Sequence, residues 1–154
     1  MLRAMVLDDA EQVAALIRLA FAAQAVVTDP LPSALRVTAT DIAAHLARGG
    51  GGGVAEPEGT LAGCALWEPK DGGLYVSRVA VAPAFRRTGI ARALMAAAAD
   101  AARGLGLPYV HLGTRLALAG NRRLFAACGF VETEQTAHAG YPEPTSVTMV
   151  KRLA

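Results

Sequence analysis

Cysteine and aromatic residues are scarce in this chain. Cys64 and Cys128 stand far apart in the sequence, and neither belongs to a metal-ligand spacing. Two isolated thiols make no disulfide framework, so a reducing, cytoplasmic setting is expected. No apolar run approaches the roughly 18 residues that a membrane span needs. Met1 to Met5 leads straight into acidic residues and lacks the apolar core of a signal peptide. The formal net charge of +2 is too small to argue for a nucleic-acid partner. No Gly-Lys-Ser/Thr follows a glycine-rich turn, which excludes a P-loop. No Gly-x-Gly-x-x-Gly follows a strand, which argues against a dinucleotide fold. Gly104 and Gly106 close a helix rather than open one.

What is present is apolar residue in quantity. The 154 residues are 53% hydrophobic and fit one domain covering 1–154. Residues 2–7 read as a strand. Asp8 and Asp9 then cap a helix on which Val13, Leu16, Ile17, Ala20 and Phe21 recur at helical spacing. A second helix is expected from a cap at Thr40 or Asp41 to Arg48, with His45 on its polar side. The glycine run 49–53 reads as a helix cap followed by flexible chain. Strands at 53–57, 60–68 and 74–81, joined by turns at Pro57-Glu58-Gly59 and Asp71-Gly72-Gly73, read as an antiparallel meander. Eight alanines between Ala91 and Ala102 predict a helix that lies close to a sheet. A strand at Tyr109–Gly113, a short helix at Asn121–Ala127 and strands at 130–136 and 146–151 complete the order β-α-α-β-β-β-α-β-α-β-β.

The chain is organised around Val79 to Arg92. An apolar strand ends at Val81, Pro83 stops it, and Arg86-Arg87-Thr88-Gly89 leads into the alanine-rich helix. A helix N-terminus leaves N–H groups without partners and carries about half a positive charge, so such an end binds phosphate. Gly89 lets a ligand approach the backbone. Five of the fifteen basic residues, Arg78, Arg86, Arg87, Arg92 and Arg103, lie near this loop, which makes a local anion site.

Arg86-x-x-Gly89-x-Ala91, after Val81-Ala82-Pro83, resembles the Arg/Gln-x-x-Gly-x-Gly/Ala signature of the GCN5-related N-acetyltransferase (GNAT) superfamily. The element order is similar to that fold over essentially the whole chain. The resemblance implies an α/β fold: a mixed, mostly antiparallel sheet with a splayed parallel strand pair, flanked by helices. It implies acetyl-coenzyme A as cofactor, its pyrophosphate on Arg86, Arg87, Thr88, Gly89, Ile90, Ala91 and Arg92. Its thioester arm would pair with the strand at Val79, Ala80 and Val81.

A second stretch, Leu124-Phe125-Ala126-Ala127-Cys128-Gly129-Phe130, resembles the family's Leu-Tyr-x-x-x-Gly-Phe, and Asn121 matches a variant of it. In the family the asparagine or its neighbours contact the pantetheine arm and the tyrosine often protonates the departing thiolate. Phe125 has no proton to give, so the resemblance implies cofactor contact without the usual acid. A thiolate with a pKa of roughly 8.5 can leave without one. An acyl-enzyme on Cys128 would need an activating base. The family's glutamate base is missing from the strand before the loop. Tyr75 and His111 are the catalytic candidates in its place, each with a structural role as the alternative.

The loops at 29–36 and 138–145 fall where that fold surrounds its acceptor. Arg36 suits a carboxylate there, Glu143 a cationic amine, and Tyr141 and His138 are candidate lining residues. The expectation is direct acetyl transfer to the amine of a small molecule, with no nucleic-acid, membrane or metal partner and with a homodimer left open. The alternatives are a non-catalytic coenzyme A-binding sensor, motivated by Phe125 and the missing glutamate, and a protein N-terminal or lysine acetyltransferase.

Overall fold

A computed structural model describes residues 1–154. Its elements are β1 (Leu2–Ala4), α1 (Ala10–Ala22), α2 (Ala39–Ala47), β2 (Gly51–Ala55), β3 (Gly63–Lys70), β4 (Gly73–Val81), α3 (Ile90–Gly104), β5 (Tyr109–Arg115), α4 (Ala119–Ala127), β6 (Val131–Thr136) and β7 (Ser146–Arg152). The seven strands form one sheet in the order β1-β2-β3-β4-β5-β7-β6. Every neighbouring pair is antiparallel except β4–β5, which is parallel because α3 carries the chain back across the sheet. The expected mixed sheet with its helices is therefore present.

Strand alternation divides the core in two. Cys64 and Leu66 of β3 face α1 and α2, where Val13, Ile17 and Ile42 are fully buried. Ala65 between them faces the other side, with Leu74, Val76, Val110, Leu112 and Met149. There α3 buries Leu94, Met95, Ala98, Ala99 and Ala102, a stripe of mostly small side chains that brings the helix close to the strands.

Local starts differ from the sequence expectation at three places. The first strand ends at Ala4, and Leu7–Asp9 forms a single 3-10 turn before α1. The Asp9 carboxylate reaches back to the Val6 N–H at 2.8 Å and grips the Arg3 guanidinium at 2.7 and 2.9 Å, so it ties the turn to β1 rather than capping α1. The cap of α2 is Thr38, not Thr40 or Asp41. Thr38 Oγ1 accepts from the Asp41 N–H at 3.2 Å, and Asp41 Oδ2 accepts from the Thr38 N–H at 2.9 Å, a reciprocal capping box.

The glycine run is the largest correction. Gly51, Gly52 and Gly53 are paired strand, registered against Trp67, Leu66 and Ala65. A Cβ on Gly52 would stand 2.6 Å from Ala65 O, and one on Gly53 would stand 3.1 Å from the Trp67 ring. The strand is glycine because its neighbours occupy the space of side chains. His45 belongs to the same packing. It is buried, and its Nε2–H donates to Gly51 O at 2.8 Å, so it lies on the inner rather than the polar side of α2.

Candidate active site

The site begins where the parallel pair separates. Strands β4 and β5 pair only through Leu74, Tyr75 and Val76 against Val110, His111 and Leu112. Beyond Val76, β4 stays on β3 as far as Gly63↔Val81, but the register slips where Arg78 adopts a φ of 54°. That bulge bends β4 away from β5. The Ala82 N–H donates to Ala62 O at 2.8 Å, toward β3. Alternation along the strand turns the Val81 and Val79 peptide groups the other way, into the gap.

A 3-10 turn at Pro83–Phe85 ends β4. Arg86 then donates to Ala20 O at 3.3 Å and Ala23 O at 3.4 Å, where α1 ends. Its guanidinium therefore clamps the loop to the negative end of α1. Thr88 Oγ1 donates to Phe85 O at 2.5 Å and holds the turn closed. Arg87 (φ 62°) and Gly89 (φ 86°) both take the left-handed conformation. Alternating backbone of this kind turns successive N–H groups to one side as an anion-binding concavity. The six consecutive N–H groups from Arg87 to Arg92 donate to no acceptor of the protein. A Cβ on Gly89 would meet nothing within 4 Å, so the space before α3 is open. Arg87 and Arg92 are exposed and unpaired beside it. Donors, charge and open space together fit a diphosphate.

A cavity of about 540 Å³ joins this loop to the strand gap. Val79, Ala80 and Val81 line its strand side, and Arg86, Arg87, Gly89, Ile90, Ala91 and Arg92 its loop side. Asn121 and Phe125 of α4 close it. Of the residues expected at the cofactor, Thr88 alone does not line it. Phe21, Gln24 and Phe85 also line it, and no motif in the sequence signals them. Phe125 is buried with its ring edge-on to Phe130 at 6.1 Å, as an apolar wall.

A second cavity, of about 280 Å³, continues from the first and shares Phe21, Gln24, Val79, Asn121 and Phe125 with it. Tyr75 and Ser77 of β4, Thr114 and Arg115 of β5, Thr28 and Ser33 after α1, and His138 before β7 line the rest. The two loops over it are tied together. Tyr141 donates to Asp29 Oδ1 at 2.5 Å, and Arg115 donates to Pro30 O at 2.5 Å and Leu31 O at 3.5 Å. Asp29 raises the Tyr141 phenol above its ordinary range, first through that hydrogen bond. Burial lowers the Arg115 guanidinium, against the pull of Tyr141 and Asp29.

The structure separates the two catalytic candidates. Tyr75 lines the second cavity, with Lys70 Nζ 4.7 Å from its ring centre. His111 is buried outside it, its ring 5.3 Å from that of Tyr75, and its Nε2–H donates to Lys70 O at 2.9 Å. Among the acceptor candidates, His138 lines the cavity and Tyr141 closes its loops. Arg36 is exposed and touches neither cavity, because Ser33–Arg36 turns it outward while Ala34 is buried. Glu143 is exposed as well.

His138 is held in a defined way. Thr145 Oγ1 meets both the His138 main-chain N–H, at 3.0 Å, and the ring Nδ1, and lies 3.5 Å from Thr136 O. The assignment that satisfies every group has the hydroxyl donate to Thr136 O and accept from the two nitrogens. In the neutral ring that assignment puts the hydrogen on Nδ1 and makes Nε2 the acceptor nitrogen. Neither thiol enters the site. Cys64 is buried, with burial pushing its pKa up to about 12, and Cys128 lines neither cavity.

Similarities to known proteins agree with this geometry. The model of the acetyltransferase (GNAT) family matches residues 18–130, which include the strand gap, the loop and α4. No curated protein matches the chain. Among solved structures, a GNAT-family protein from Desulfovibrio desulfuricans superposes with a TM-score of 0.81 at 23% identity, covering 100% of this chain and 99% of that one. The Salmonella typhimurium protein yncA, solved with its cofactor acetyl-CoA, superposes with a TM-score of 0.77 at 22% identity over 100% and 94%. Ribosomal-protein-alanine N-acetyltransferase from Brucella melitensis superposes with a TM-score of 0.75 at 23% identity over 99% of each chain. At these identities the superpositions bear on the fold. With the family model matched across the site, the chain belongs to the GNAT acetyltransferase family, whose acetyl donor is acetyl-CoA.

Proposed function

We propose that the protein transfers the acetyl group of acetyl-CoA to the amine of a small molecule. The observation that carries this reading is the continuity of the two cavities at Val79, Asn121 and Phe125. One cavity has the donors and charge for a diphosphate. The other is small and is lined in part by two loop segments tied through Tyr141 and Asp29. A space of this size favours a small acceptor over a folded protein.

Acetyl-CoA supplies the acetyl group as an activated thioester, which an amine takes directly. The chain's own residues do the rest. The N–H groups from Arg87 to Arg92 bind the diphosphate, with Arg87 and Arg92 as counter-charges. The inward peptide groups of Val79 and Val81 orient the pantetheine arm along the gap. Asn121 and Phe125 wall the junction and keep water from it. His138 Nε2 accepts the proton that the acceptor nitrogen gives up, a role for which Tyr75 is the alternative on the β4 side. No residue at position 125 holds a proton for the thiolate, which leaves unprotonated near neutral pH. Positioning of this kind supplies several kcal/mol of a barrier.

Calorimetry with acetyl-CoA tests the donor half of this assignment. Gly89→Asp brings a carboxylate to the open space before α3 and is expected to abolish binding, while Gly89→Ala costs only about 1–2 kcal/mol of backbone strain. Retained affinity in Gly89→Asp would remove the loop from the site.

A further inference from the structure

The second cavity has an uneven charge. Nineteen residues line it, and they include Arg78 and Arg115 but no aspartate or glutamate. Arg115 is committed to the Pro30 and Leu31 carbonyls, and the Asp29 carboxylate of the same segment is engaged by Tyr141. Arg78 is different. It is half-buried at the β4 bulge, and its guanidinium has no ion pair and no hydrogen bond. An unpaired guanidinium in a cleft lining without acidic side chains suits a ligand that brings its own negative charge.

Thr28 points to the same need independently. It is 5% exposed and lines the same cavity. Its Oγ1 is the one buried side-chain nitrogen or oxygen in the protein without a hydrogen-bond partner. Buried hydroxyls are ordinarily satisfied, and an orphan in the same lining as an unpaired guanidinium suits an oxygen acceptor that the protein itself does not supply.

We propose that the acceptor carries a carboxylate as well as its amine, that is, that it is an amino acid or a close analogue, with the carboxylate held by Arg78 and Thr28. The guanidinium fork matches two carboxylate oxygens, and the Thr28 hydroxyl gives a third donor. The inference rests on the second cavity being the acceptor cleft. It replaces Arg36, which faces solvent, with Arg78 as the anion-binding residue. Arg115 adds positive potential from the opposite strand and holds the Pro30–Leu31 segment through its carbonyls.

The test compares amino acids with their own decarboxylated amines and their neutral amides, which share the side chain and the nucleophile. Acetylation is followed as thiol release with acetyl-CoA, and binding by calorimetry on enzyme loaded with coenzyme A. At least one amino acid is expected to exceed its amine and amide by tenfold or more in kcat/KM, and in affinity if turnover is absent. Arg78→Met should reduce that preference to within about threefold, and Arg78→Lys should restore part of it. Thr28→Val should raise the KM of the acid severalfold while the melting temperature holds or rises, since an unpaired hydroxyl has been removed. A merely structural threonine would lower the melting temperature instead. Acetylation or binding of amines and amides as good as that of the acids would overturn the carboxylate proposal and leave the small-amine reading standing. Activity confined to peptide N-termini would overturn both.

Discussion

The Tyr141 hydroxyl donates to Asp29 Oδ1 at 2.5 Å, joining two loops that lie 112 residues apart in sequence. This bond ties the segment that follows α1 to the one that precedes β7, and Thr28, Ser33 and His138 of those segments line the second cavity. Tyr141→Phe is therefore expected to raise the acceptor KM about three- to tenfold and leave acetyl-CoA affinity unchanged. Asp29 holds the Tyr141 phenol above its ordinary range, so the proton stays on to higher pH than in a free tyrosine. A folded-state value raised in this way gives stability that is complete below the unfolded value of roughly 10 and is lost as pH rises through the folded one. Ultraviolet titration of the phenol should show one high transition that Asp29→Asn brings down. An unshifted transition in that variant would deny the bond.

His138 gives a kinetic prediction. His138 lines the second cavity, and its Nδ1 is engaged by Thr145 Oγ1. His138→Gln should lower kcat about 10²-fold, the low end of general-base effects. Full turnover in this variant would transfer the role to Tyr75.

The glycine strand gives a prediction of stability. Gly52→Ala places a Cβ 2.6 Å from Ala65 O and 3.0 Å from Met5 Cε. The sulfur side chain can yield but the carbonyl cannot, so about 1–3 kcal/mol of overpacking is expected in urea unfolding. A gain in stability, as from removing flexible glycine, would mean that β2 is not packed as described.

Asp9 gives a pH dependence. The Arg3 hydrogen bonds, chiefly, hold its carboxyl below the ordinary carboxylate range against the effect of burial. A lowered folded-state value gives stability that is present above the unfolded value, roughly 3.9, and lost as pH falls through the folded one. Asp9→Asn should therefore cost about 1.5–3 kcal/mol at neutral pH. The difference from the parent should close as the pH falls below about 4. A constant difference across that range would mean that the ion pair contributes nothing.

The element order and the turn before α3 were legible because each rests on local chemistry. Pro83, Gly89 and the alanines of α3 act within a few residues of themselves. What sequence reasoning missed depends on distant neighbours. The glycine run reads as loose chain until Trp67 and Met5 are seen to fill its side-chain space. His45 reads as solvated until Gly51 O is found beside it. From the sequence, Arg36 reads as a carboxylate partner in the acceptor loop and Arg78 as part of the anion site by the loop before α3. Only the turn at Ser33 and the bulge in β4 decide which of them enters the cleft. Thr28 has no local signal, because its meaning lies in the absence of a partner.

The central claim is acetyl transfer from acetyl-CoA to a small amine, and the most direct measurement identifies the product by mass. The enzyme would be incubated with acetyl-CoA and a panel of small amines, amino acids and short peptides, with free thiol counted alongside. The account predicts an N-acetylated small molecule in one-to-one yield with released coenzyme A, and no product from Gly89→Asp. Tight acetyl-CoA binding with no acetylated product from any amine, or product on peptide N-termini alone, would contradict it.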